Sequence, residues 1–84
     1  MSYTVSLSRE AIKTLKKFDQ KLENRMLKKL RSLEDNPKFQ GKTLKSFPGL
    51  YSLRVGSFRI LYIINEEEHH AYVVAIRTRG QAYR

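Results

Sequence analysis

The sequence predicts an α+β fold, in which two helices pack on one face of a small, mainly antiparallel sheet. Three patterns indicate this fold. Residues 3–7 alternate between apolar and polar, apolar residues then recur at helical spacing up to residue 36, and two strand-like runs flank a short turn in the second half of the chain. The predicted order of elements is β-α-α-β-β-β.

The length of the chain predicts a single domain over residues 1–84, because 84 residues with 40% hydrophobic content bury only one modest core. The chain has no cysteine, which excludes disulfides and thiolate metal sites. It also lacks a signal-peptide apolar region and an apolar run of membrane length. We therefore expect a cytoplasmic protein with no membrane partner.

The charge of the chain limits its partners. A total of 17 Lys and Arg against 8 Asp and Glu gives a formal net charge of +9. A chain of this charge attracts polyanions such as nucleic acid. A soluble basic domain with solvated lysines fits the same composition equally well. Net charge therefore indicates a class of partner and no particular chemistry.

The first half of the chain predicts one strand and two helices. Residues 3–7 read as a half-buried strand, and Ser8 can cap a first helix. Asp19 can cap a second helix, whose apolar stripe continues towards Asn36-Pro37. The outer faces of both helices are rich in Lys and Arg, which we interpret as solvated, with contact to a nucleic-acid backbone as the alternative.

A basic loop over residues 38–48 precedes a predicted hairpin. Residues 50–55 and 58–64 form its strands, and Gly56-Ser57 forms a two-residue turn in which Gly56 supplies the positive φ. A turn of this length indicates the register of the two strands.

This register pairs Val55 with Phe58 and makes Arg54 and Arg59 the next cross-strand pair. Both arginines then point to the face opposite Val55 and Phe58. Like charges directly opposite one another destabilise a sheet. The pairing is therefore expected to accommodate an anion between the arginines, or a structural carboxylate beside them.

The last predicted strand covers residues 70–77. Its bulky residues share one side: Tyr72, Val74 and Ile76. We expect this side to meet the helices, which leaves Arg77 on the open face with Ser52 and the hairpin arginines. The irregular turn over residues 65–69 does not fix the register of this strand.

Polar side chains capable of binding RNA follow this strand. A guanidinium such as that of Arg77 or Arg79 holds a phosphate bidentately, and Tyr83 offers a stacking face and a hydroxyl. RNA is therefore the predicted substrate. Because only arginines and lysines converge on this site, they would repel a metal ion, and neither a metal nor another cofactor is expected.

Three features of the chain together resemble a known family: the order β-α-α-β-β-β, the stretch Leu50-Tyr51-Ser52-Leu53-Arg54-Val55-Gly56-Ser57-Phe58-Arg59-Ile60-Leu61-Tyr62, and the ending Arg77 to Tyr83. The family that they resemble is the RelE/ParE superfamily of bacterial and archaeal toxins. The resemblance covers nearly the whole chain, and the Arg-x-Arg-Gly-x-Ala-Tyr ending is most similar to archaeal RelE-like members. It implies the RelE-like microbial RNase fold and a toxin of a type II toxin-antitoxin system.

The same resemblance implies an activity and partners. RelE toxins are endoribonucleases that cleave messenger RNA in the ribosomal A site and so inhibit translation. The expected reaction is attack of the RNA 2′-hydroxyl on the adjacent phosphate, without a metal ion. The implied partners are the ribosome, messenger RNA and a cognate acidic, RelB-like antitoxin, which would form a heterodimer or heterotetramer with the toxin.

By position, the resemblance also implies catalytic roles. Arg59 matches the arginine that stabilises the phosphorane, and Arg77 matches the arginine proposed to protonate the leaving 5′-oxygen. Arg79 is the alternative for this second arginine. Tyr83 matches the tyrosine that stacks on or orients the substrate.

The expected substrate-binding residues include one departure from the family pattern. Arg54 falls where the family has a basic strand residue, whereas Ser52 lies where RelE has a lysine credited with general-base work. Either Arg54 or a nearby lysine such as Lys45 substitutes for that lysine, or cleavage is slower.

Two other functions stay open at this point. One is a ParE-like toxin that inhibits DNA gyrase by protein binding, and the arginine and tyrosine ending argues against it. The other is a catalytically impaired, basic nucleic-acid-binding module, which Ser52 keeps open.

Overall fold

The computed structural model describes residues 2–78, which form one five-stranded sheet with three helices. The elements in chain order are β1 (Thr4–Leu7), α1 (Arg9–Lys16), α2 (Gln20–Ser32), α3 (Pro37–Gln40), β2 (Lys42–Leu44), β3 (Phe47–Val55), β4 (Phe58–Asn65) and β5 (His70–Thr78). The sheet order is β1-β5-β4-β3-β2, with β1 parallel to β5 and the other pairs antiparallel. The predicted α+β class with a mainly antiparallel sheet is confirmed. Over the same residues, no helix is long and apolar enough to cross a membrane.

Both predicted helix caps are present. Ser8 Oγ accepts a hydrogen bond of 3.1 Å from the amide of Ala11, and Asp19 Oδ1 accepts one of 2.8 Å from the amide of Leu22. Each cap is worth about 1 kcal/mol of helix stability. The apolar stripes of the two helices are buried against one face of the sheet, at Ala11, Leu15, Met26, Leu30 and Leu33. This packing leaves the opposite, open face of the sheet clear of α1 and α2.

The segment predicted as a basic loop over residues 38–48 contains regular structure. It holds most of the short helix α3 and the edge strand β2, and β3 begins at Phe47 rather than at Leu50. A strand as short as β2 carries no readable alternation of apolar and polar residues. Its conformation is decided by antiparallel pairing with the edge of β3, which the local sequence does not reveal.

The strand β5 departs from the predicted alternation at a β-bulge. Beyond Leu61 the pairing of β4 with β5 shifts, and Val74 is the extra residue. Val73 is consequently in the core and 1% exposed, whereas Val74 is 37% exposed. Ile76 is buried as predicted, but the prediction that Tyr72 and Val74 join it in the core is wrong. A bulge switches the face of the side chains that follow it along the strand.

A buried tyrosine connects the core to the segment before β2. Tyr62 is fully buried, and its hydroxyl donates a hydrogen bond of 2.6 Å to the carbonyl oxygen of Pro37 in α3. Burial raises the pKa of Tyr62 to about 12. The chain passes so close at Gly41 that a Cβ there would lie 2.6 Å from the Tyr62 hydroxyl and 2.8 Å from the Ser52 carbonyl oxygen. A glycine is therefore required where the chain enters β2.

Candidate functional site

The open face carries a row of three arginines from three neighbouring strands, Arg54, Arg59 and Arg77, here called the arginine row. Arg54 of β3 pairs with Arg59 of β4, as the sequence predicts, and Arg59 pairs with Arg77 of β5. Directly opposed residues in an antiparallel pair point to the same face, with Cβ atoms about 4.5–5.5 Å apart. Arg54 and Arg59 therefore concentrate positive charge at one end of the open face, whereas the guanidinium of Arg77 extends to α1 at the edge of that face.

The central arginine of the row contacts a buried serine. Arg59 Nη1 donates a hydrogen bond to Ser52 Oγ over 3.5 Å. Ser52 is only 7% exposed, whereas Arg59 is half-buried and Arg54 is exposed. Ser52 thus lies beneath Arg59, where its hydroxyl can orient the guanidinium while offering little surface to a ligand.

The outer arginine of the row contacts a carboxylate of α1. Arg77 Nη2 lies 2.6 Å from Glu10 Oε2, and the two side chains are 41% and 54% exposed. An ion pair this exposed stabilises a fold by about 0–1 kcal/mol, so it affects the orientation of Arg77 more than the stability of the fold. The sequence left open a structural carboxylate beside Arg54 and Arg59, whereas Glu10 contacts Arg77.

A groove of about 430 Å³ opens beside the arginine row. Its lining brings β3 and β4 together with the segment around β2, and includes Gly41, Lys42, Ser52, Arg54 and Arg59. Lys42 pairs directly with Ser52, so its side chain points to the open face. Lys42 was not predicted to lie here, because it belongs to the segment predicted as a loop. Only the pairing of β2 with β3 identifies it.

Of the predicted site residues within 2–78, Arg77 and Lys45 do not line this groove. Lys45 lies in the turn between β2 and β3, is exposed, and is not among the residues that line the groove. Arg79 and Tyr83 lie outside the described residues.

The arrangement is suited to binding an anion. Guanidinium groups on adjacent strands present several N–H donors to one side, which matches the oxygens of a phosphate. Within residues 2–78, no group of three or more His, Cys, Asp and Glu side chains is placed to hold a metal ion.

Comparison with known proteins agrees with this fold. Residues 5–83 match the family described as the ParE toxin of the type II toxin-antitoxin system, parDE. A putative RelE-like toxin protein of Escherichia coli is 31% identical, with 99% of this chain and 92% of the relative covered. The mRNA interferase toxin RelE of Escherichia coli strain K12 is 23% identical over the same shares of the two chains. The chain therefore belongs to the RelE/ParE superfamily of type II toxin-antitoxin toxins.

A solved structure supports the same assignment. The chain is similar to the archaeal RelE-RelB complex from Pyrococcus horikoshii OT3, with a TM-score of 0.80 and 26% sequence identity. The match covers 98% of this chain and 100% of the compared chain. The predicted resemblance to RelE toxins, including archaeal ones, is confirmed.

Proposed function

We propose that this toxin is a metal-independent endoribonuclease that cleaves messenger RNA in the ribosomal A site and so inhibits translation. The observation that carries the proposal is the arginine row, because it places guanidinium groups on three neighbouring strands. The N–H donors of guanidinium groups match the oxygens of a phosphate in the RNA backbone. The name of the related Escherichia coli toxin, mRNA interferase, supports the same chemistry.

In the proposed reaction, RNA supplies its own nucleophile. The 2′-oxygen attacks the adjacent phosphorus, the bond from phosphorus to the 5′-oxygen breaks, and the 2′-proton is lost while the 5′-oxygen gains one. The products carry a 2′,3′-cyclic phosphate and a 5′-hydroxyl. Arg59, at the centre of the row, donates to the non-bridging oxygens as negative charge builds on them. A preorganised contact of this kind lowers the barrier by about 3 kcal/mol.

The outer residues complete the proposed site. Arg54 binds the substrate beside Arg59, and Arg77 or Arg79 supports the leaving 5′-oxygen. Because arginine keeps its proton in proteins, these arginines act by stabilising charge and not by transferring a proton. Tyr83 stacks on a base of the RNA.

The proposal also includes the cellular location and the partners of the toxin. Residues 1–84 act as one toxin domain in the cytoplasm, where they meet ribosomes and messenger RNA. A RelB-like antitoxin holds the toxin inactive as a heterodimer or heterotetramer, and the similar archaeal RelE-RelB complex supports such an assembly. The net charge of +9 favours an acidic antitoxin.

A second candidate function follows from the name of the matching family, the ParE toxin. In that case the chain would inhibit DNA gyrase by binding it and would have no RNA chemistry. The arginine row would then contact acidic protein side chains instead of phosphates.

The products of cleavage test the proposal. Purified toxin is added to ribosomes programmed with a defined messenger, the cut sites are mapped by primer extension, and the fragment ends are analysed. We expect cuts only with ribosomes present, and fragments with 5′-hydroxyl and 2′,3′-cyclic or 3′-phosphate ends. Fragments with 5′-phosphate and 3′-hydroxyl ends would exclude the 2′-hydroxyl mechanism. Intact messenger together with inhibited gyrase supercoiling would favour the second candidate.

A further inference from the structure

We propose that the groove beside the arginine row is a subsite for a second RNA phosphate, adjacent to the cleaved one, and that Lys42 is the residue that binds it. This inference rests on the proposed function for the identity of its substrate. It adds to that function a binding residue that neither the sequence nor the family resemblance indicates.

Strand register places Lys42 on the same surface as the arginine row. Lys42 is directly opposite Ser52, and Ser52 Oγ accepts a hydrogen bond from the central Arg59. The strands β2 and β4, which carry Lys42 and Arg59, are separated only by β3, so they lie about 10 Å apart. Two long cationic side chains can contact neighbouring phosphates of one RNA strand across that distance.

The composition of the groove favours a phosphate. Its cationic lining residues are Lys42, Arg54 and Arg59, and none of the described residues that line it is acidic. Its volume of about 430 Å³ lies within the range of about 300–1,000 Å³ that is usual for ligand pockets. A single nucleotide is therefore a suitable occupant.

The backbone next to Lys42 is closely packed at Gly41. Gly41 passes so close to Tyr62 and to the carbonyl of Ser52 that no side chain fits there. The wall of the groove at this point is therefore backbone, and no side chain at residue 41 competes with a ligand. The pairing of Lys42 with Ser52 fixes the position from which the ammonium group extends.

Lys45 is a suitable comparison for Lys42, because it has the same charge and is also exposed. Lys45 lies in the turn that follows β2 and does not line the groove. If proximity in sequence decided substrate binding, the two lysines would contribute alike. If the register decides it, only Lys42 contributes.

Binding of a short RNA with a 2′-O-methyl group at the cut site tests the subsite without any cleavage. Affinity is measured by fluorescence anisotropy over a series of salt concentrations for the parent, Lys42→Gln, Lys42→Arg, Lys45→Gln and Lys29→Gln. Lys29 is an exposed lysine of α2 outside the groove and controls for net charge. For Lys42→Gln we expect about 5- to 10-fold weaker binding and a salt slope smaller by about 0.7, the value for one contact with a single-stranded phosphate.

The remaining variants show whether the loss of affinity is specific to the charge of Lys42. Lys42→Arg should retain the parent affinity, and Lys29→Gln should bind as the parent does. Parent-like binding and salt slope for Lys42→Gln would overturn the subsite, as would an equal loss for Lys45→Gln or no RNA binding by the parent.

Failure of the proposed nuclease function would give a different experimental result from failure of the subsite. A parent that binds the RNA through Lys42 but cleaves no messenger would retain the subsite and contradict the nuclease assignment. In the cleavage assay, Lys42→Gln should raise KM and leave kcat unchanged, because the subsite contacts a phosphate that does not react.

Discussion

The two faces of the sheet differ in what stabilises them. The face towards the helices is apolar, and Ile60, Tyr62 and Val73 on it are at most 1% exposed. On the open face, Arg59 lies directly opposite both Arg54 and Arg77, an arrangement in which like charges repel. The face towards the helices therefore holds most of the apolar core, whereas the open face buries Leu61 and Ala75 beside arginines suited to binding an anion. Substitutions on the two faces should separate activity from stability.

The largest expected effect is on the open face. Arg59→Ala should slow cleavage of ribosome-bound messenger by at least about 100-fold, because the central donor to the phosphate is lost. The free energy of unfolding should change by less than about 1 kcal/mol, since the like-charge contacts with Arg54 and Arg77 are relieved as packing and the hydrogen bond to Ser52 are lost. Single-turnover cleavage and urea denaturation measure the two quantities.

The matched control is Arg9→Ala, an exposed arginine at the start of α1 that should leave both quantities unchanged. A folded Arg59→Ala variant that cleaves as fast as the parent would remove Arg59 from the site. A large loss of stability would instead mean that the open face supports the fold.

On the core face, the expected effect is on stability and depends on pH. Burial raises the pKa of Tyr62 to about 12, above its ordinary value of about 10. The folded state therefore retains the phenolic proton more strongly than the unfolded state. The contribution is complete below about pH 10 and is lost as the pH rises towards 12, by on the order of 2–3 kcal/mol in the free energy of unfolding.

Tyr62→Phe isolates this contribution, because it has no proton to lose. At neutral pH the variant should be about 1 kcal/mol less stable, since the hydrogen bond to the Pro37 carbonyl is missing. Urea denaturation of both proteins between pH 8 and 11.5 should show this difference shrinking at high pH. A difference that does not depend on pH would contradict the assignment.

The smallest expected effect lies where the two layers meet, at the ion pair of Glu10 with Arg77. Glu10→Gln should lower kcat by about 3- to 10-fold, because Arg77 loses the carboxylate that orients it. RNA binding should tighten slightly, because one negative charge is removed. Glu10→Asp serves as the conservative control in the same steady-state assay. A higher kcat for Glu10→Gln would mean that the carboxylate competes with phosphate instead of orienting the arginine.

The hairpin was predictable because its register follows from local chemistry. Gly56 adopts a φ of 60°, as the two-residue turn requires, and the turn sets Val55 opposite Phe58. The pairing of Arg54 with Arg59 follows from that register alone. The helix starts were predictable for a similar reason, since each depends on one capping side chain and an apolar stripe.

The remaining parts of the site depend on contacts between distant segments. The position of Lys42 is set by pairing with β3, and that of Glu10 by the packing of α1 beside Arg77. The bulge at Val74 likewise depends on how β5 fits against β4. None of these contacts leaves a pattern in the residues around it, so the sequence alone does not place Lys42 beside Arg54 and Arg59.

The bulge at Val74 also divides β5 into two halves with opposite phase. A shift of one residue reverses which face every side chain occupies, so the half that pairs with β1 and the half that ends in Arg77 have separate alternation patterns. Changes in the apolar residues of the first half place no demand on the direction of Arg77. One continuous strand can therefore place apolar side chains in the core at one end and an arginine at the other, because each half has its own alternation.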